Sequence, residues 1–112
     1  MLFRSERNQL ENRLQILSGH LLKWQFQPER RGNSWRATIK EQRRAIGRLI
    51  KASPSLKSKL DDEVFLNDVW TDGVLLATRE TELDESVFPE SPIWTIAQIL
   101  DEGFYPKEDE QN

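Results

Sequence analysis

A chain of 112 residues has room for one domain with a single modest core, burying roughly two thirds of the surface its unfolded form exposes. With 31% charged residues but four Trp and five Phe it is polar without being disordered, and the lack of Cys excludes disulfides, thiolate metal sites and nucleophilic cysteine chemistry. The net charge of −3 hides an asymmetry: residues 20–60 hold eleven basic and two acidic groups, whereas residues 61–112 hold two and fifteen.

Ser5 can cap a first helix, in which Leu10, Leu14, Leu17, Leu21 and Trp24 recur at spacings of four and three, with Leu22 and Phe26 widening the stripe. Pro28 ends it, because the residue before a proline is pushed out of the α region. Residues 28–33 are turn chemistry, and Ser34 is a candidate cap for a second helix over residues 35–51. There Trp35, Ile39, Gln42, Ile46 and Leu49 repeat the four-three rhythm, so the two helices should pair as an antiparallel hairpin.

Ser53 and Pro54 suit the cap and first position of a third helix reaching about Thr81, with a kink or break near Asp61 or Gly73. Residues 82–92 read as a loop that straps across the bundle by inserting Phe88. Thr95 and Gln98 fit a capping box for a short fourth helix, followed by the aromatic anchor Phe104-Tyr105-Pro106 and a frayed tail over 106–112. No alternation of strand type occurs, so the predicted class is all-α: one domain over 1–112, a small bundle of three to four helices with a C-terminal strap.

The strings HLLKWQFQPERR (20–31), Ser34-Trp35-Arg36-Ala37-Thr38-Ile39, FPESPIWT (88–95) and LDEGFYP (100–106) resemble the DUF29 family over nearly the whole chain. That resemblance implies a small bacterial helical protein, of a kind abundant in cyanobacteria, and it passes on no activity. Members usually carry a further helical segment before the part matching Ser5-Glu6-Arg7, which this sequence lacks, so the expectation is a truncated or divergent member, or one that covers the exposed apolar face by self-association.

Arg30, Arg31, Arg36, Lys40, Arg43 and Arg44 form the candidate partner-binding face, extended along the second helix by Arg48 and Lys51. A basic stripe opposite an apolar one suits an acidic protein partner or the phosphates of a nucleic acid, and it equally suits internal pairing with Asp61, Asp62, Glu63, Asp68 and Asp72. His20, Lys23, Trp24 and Trp35 gather at the first turn. The indoles could stack a base or close the hairpin from inside, and His20 could serve a hydrolase or nuclease or simply bridge two helices. The acids at 61–63 and 80–85 match no EF-hand spacing and read as solvated surface. No catalytic or cofactor signature is present and no run of about 18 apolar residues offers a membrane span. The expected function is therefore a non-enzymatic protein-interaction or regulatory module of the cytoplasm, with no cofactor, binding another protein or a second copy of itself. Nucleic-acid binding through the basic face of residues 30–51 is the alternative.

Overall fold

The computed structural model describes residues 4–107. Within them four α-helices follow one another, α1 (Arg4–Phe26), α2 (Asn33–Ala52), α3 (Glu63–Thr81) and α4 (Ile96–Leu100), with short 3₁₀ segments at Pro28–Arg30, Pro54–Asp61 and Glu85–Val87. The all-α class is thus the observed one, and no strand occurs among the described residues.

The first helix is the hub, because it carries two apolar stripes instead of one. Leu10, Leu14, Leu17, Leu21 and Trp24 meet Ile39 and Ile46 of α2, Leu56, and Phe65 and Val69 of α3. Leu22 instead joins Trp70, Val74, Ala77 and the strap residue Phe88 in a second cluster. Both long neighbours therefore pack on α1, and they touch each other little. The hairpin runs antiparallel: Arg36 lies over the Trp24 ring close to the turn, and farther away Arg13 Nη1 donates to Gln42 Oε1 at 3.2 Å.

Gly73 does not break α3. A Cβ at Gly73 would come within 3.1 Å of Ser18 Cβ and 3.3 Å of the Gly19 nitrogen, while one at Gly19 would come within 2.6 Å of Leu76 Cδ2. The two glycines let the α1 and α3 backbones cross closely, which offsets the helix-propensity cost of about 1 kcal/mol for Gly73.

The expected third helix is broken near Asp61. Pro54–Asp61 is a separate 3₁₀ stretch, and Asp62 starts α3 by accepting from the Val64 and Phe65 nitrogens at 3.0 and 3.2 Å. Ser53 occupies the cap position before Pro54 but its side chain caps nothing. Two further caps differ from expectation. Ser5 lies inside α1, and α2 starts at Asn33 after an extended Gly32 with no side-chain cap, leaving Ser34 in its first turn.

The C-terminal segment is stapled on by aromatic contacts. Phe88 is buried edge-on to Phe26, Trp70 Nε1 donates to the Pro89 carbonyl at 2.8 Å, and Trp94 bridges Trp70 and Phe104. The Thr95–Gln98 capping box forms as the sequence predicts. Pro106 is buried, so packing extends through the start of the predicted tail; residues 108–112 lie outside the described ones.

Candidate functional site

The cations predicted to share one face divide into two populations. Arg43 is 5% exposed and points inward, donating from Nε to the Ile99 carbonyl at 2.9 Å and from Nη2 to the Phe104 carbonyl at 2.7 Å, with Nη1 3.4 Å from the Glu102 carbonyl. Its guanidinium also lies 5.4 Å from the Tyr105 ring centroid. Burial lowers the guanidinium pKa, opposed by Tyr105, Asp101 and Glu102, and an arginine stays charged regardless. Arg43 is thus the clamp that holds α4 and the following turn on α2. Arg31 is half-buried, donating from Nε to the Trp24 carbonyl at 2.7 Å and resting on that indole.

Arg30, Arg36, Lys40, Arg44, Arg48 and Lys51 are exposed. On α2 the last five follow spacings of four and three, a stripe turned away from the buried Ile39, Gln42, Arg43 and Ile46. Arg36, Lys40 and Arg44 line an open groove of about 830 Å³ whose other wall is Tyr105 and Glu102, with Glu41 at its edge. Among the described residues only two ion pairs occur, Lys23–Glu80 and Lys59–Asp62, and neither involves this stripe. The internal pairing between α2 and the acids of α3 therefore does not form. The reason is geometric: both helices spend their inner faces on α1, so their charged outer faces are held apart. At physiological salt, charges separated by more than about 8 Å are largely screened.

The turn cluster is brought together only in part. Lys23 is 4% exposed; its Nζ lies 2.6 Å from Glu80 Oε1 and 4.7 Å from the Trp35 ring centroid. Burial pulls the Glu80 carboxyl upward, but the hydrogen bond from Lys23 together with the charges of Lys23, His20 and Arg79 holds it below its ordinary value. Trp24 is buried against Tyr105 at 4.9 Å. His20 Nδ1 lies 2.9 Å from the Ile16 carbonyl, and since a carbonyl can only accept, Nδ1 is the protonated nitrogen. Burial depresses its pKa, reinforced by Lys23 and opposed by the Ile16 hydrogen bond and Glu80. The imidazole's one hydrogen bond among the described residues is that backbone contact, and it lines none of the main concavities.

Sequence reasoning missed Glu80 as the partner of Lys23, since 57 positions separate them and only the α1–α3 crossing joins them. It also missed the inward turn of Arg43. Position was the available signal there, because Arg43 follows Gln42 and precedes Ile46 by three, within the apolar arc. No group of three or more metal-ligating side chains gathers among the described residues, and no described helix is long and apolar enough to cross a membrane.

Fold and surface together define a small helical-bundle domain with a solvent-facing cationic helix. Residues 1–105 match the family described as Domain of unknown function DUF29, and the chain belongs to that family. No curated protein and no solved structure gives a significant match.

Proposed function

We propose that this DUF29 chain is a non-enzymatic protein-interaction or regulatory module of the bacterial cytoplasm, docking an acidic protein surface on the outer face of α2. The observation that carries this reading is that Arg36, Lys40, Arg44 and Arg48, spread over about three turns of α2, are exposed and form no ion pair among the described residues, even though Glu41 and Glu102 border the same groove. Exposed charges of this kind add little to stability, so their arrangement is better explained by something outside the fold. Nucleic acid has less support. Trp24 is buried and Trp35 is covered by Lys23, so neither indole offers an open platform for a base. A hydrolase built on His20 has less still, given an imidazole committed to its own helix backbone.

The test uses Lys40→Gln, Arg44→Gln and Arg48→Gln together, which spares the structural Arg43. Stability should stay within about 0.5 kcal/mol of wild type, as for other surface changes. Wild type should capture proteins from a nuclease-treated extract of the native host that the triple variant loses. The same proteins captured by both would overturn the reading, as would salt-sensitive binding to duplex DNA that the variant alone abolishes.

A further inference from the structure

The chain carries a second surface that complements the first. Between Arg79 and Lys107 there is no lysine or arginine, yet Glu80, Glu82, Asp84, Glu85, Glu90, Asp101 and Glu102 all fall there. Where this segment folds back along α3 it borders an open groove floored by Val74, Leu75 and Phe88 and rimmed by Asp84, Glu85 and Glu90. Asp84 is committed to capping Ser86, which leaves Glu85 and Glu90 as exposed acids without an ion-pair partner among the described residues.

The same side exposes apolar atoms. Leu75 is 43% and Val87 42% exposed, and Val64, at 72%, shares the outer face of α3 with Leu75, eleven positions or three turns away. Apolar surface rimmed by charge is what a docking face presents. The cationic stripe of α2 matches it in both respects. Lys40, Arg44 and Arg48 rise about 6 Å per step, and their aliphatic stems can lie on an apolar floor while the heads reach carboxylates at its rim.

Resting on the docking role proposed above for α2, we propose that its partner is a second copy of this chain: Lys40, Arg44 and Arg48 of one molecule seat on the Leu75 groove of the next, against Glu85 and Glu90. The two surfaces differ and face away from α1 in different directions. The contact is therefore heterologous, and each copy keeps one surface of each kind available, so assembly proceeds head to tail. Exposed charge pairs make it weak and salt-sensitive.

Sedimentation velocity of the full chain, at low and high salt and over a range of concentrations, tests this directly. Wild type should form species larger than one chain at low salt and dissociate as salt rises. The triple glutamine variant of α2 and a Glu85→Gln, Glu90→Gln variant should each remain monomeric, their self-affinity reduced about tenfold or more. Mixed in equal amounts they should form a two-chain species and stop there, because each supplies one intact surface; this outcome also shows that both variants fold. A wild type that stays monomeric at low salt, or a mixture that stays monomeric, overturns the proposal. If α2-dependent capture of host proteins persists alongside a monomeric wild type, the self-association idea fails while the docking reading stands. If capture is insensitive to the α2 changes, the docking reading itself fails.

Discussion

Arg43 and Arg44 are adjacent in sequence and opposite in use. One helical step of 100° carries Arg43 into the arc shared with Ile39 and Ile46, where three backbone carbonyls of the α4 end take up its donors. The same step leaves Arg44 in water with no ion-pair partner among the described residues. Lys23 on α1 repeats the inner case: it is buried over Trp35 and neutralised by Glu80. A cation's role in this domain is set by the angle at which it leaves the helix. Inner cations are parts of the fold, and outer ones are available to something else.

That contrast can be broken most directly at the clamp. Arg43→Ala would leave the carbonyls of Ile99, Glu102 and Phe104 without their charged donor and release the segment they anchor. It should cost about 3 kcal/mol in denaturant unfolding, with faster proteolysis after residue 98, whereas Arg44→Ala should cost less than about 0.5 kcal/mol. Equal effects at the two positions would abolish the distinction.

The second inner cation sharpens the comparison through an asymmetry. Glu80→Gln strands a buried ammonium and should cost about 2 kcal/mol, while Lys23→Met leaves a carboxylate whose side chain is 43% exposed and can be hydrated, at about 1 kcal/mol or less. A larger loss for Lys23→Met would mean that its packing on Trp35, and not the charge pair, dominates.

The smallest expected effect is the response to pH. His20 titrates lower in the fold than in the unfolded chain, so the unfolded state takes up its proton first. Stability should therefore fall as pH drops through about 6.5 and level off once the folded imidazole protonates as well. Glu80, held low, contributes stability above about pH 4.3 that is lost on further acidification. Both act in one direction. His20→Gln should flatten the upper part of the unfolding-midpoint profile between pH 7.5 and 5.5 and leave the lower part in place.

Much of the architecture is legible in local pattern. The four-three rhythm of Leu10 through Trp24 and of Trp35 through Leu49 places two helices, Pro28 stops the first, and Thr95 with Gln98 starts the last. Caps are less legible, since Ser5 and Ser34 are good capping residues that the helices run past, while Asp62 does the capping within a run of three acids. Each local preference is worth only about 1 kcal/mol, and core packing overrides it. Of the candidate face, Arg36, Lys40, Arg43 and Arg44 all border one groove, but Arg43 is buried and spends its donors on the backbone carbonyls of Ile99, Glu102 and Phe104.

Periodicity and turn chemistry by themselves determined that this chain is an all-helical hairpin-based bundle with strongly unequal charge along its length, because those properties depend on neighbours within about four residues. Only the tertiary structure decided that α1 stands between α2 and α3, that Lys23 finds Glu80, and that the cationic stripe of α2 forms no ion pair with the acids of α3 among the described residues. Those outcomes depend on which apolar stripes meet. The double stripe of α1 and the close approach at Gly19 and Gly73 direct that meeting, and the charged faces are carried to wherever the core leaves them.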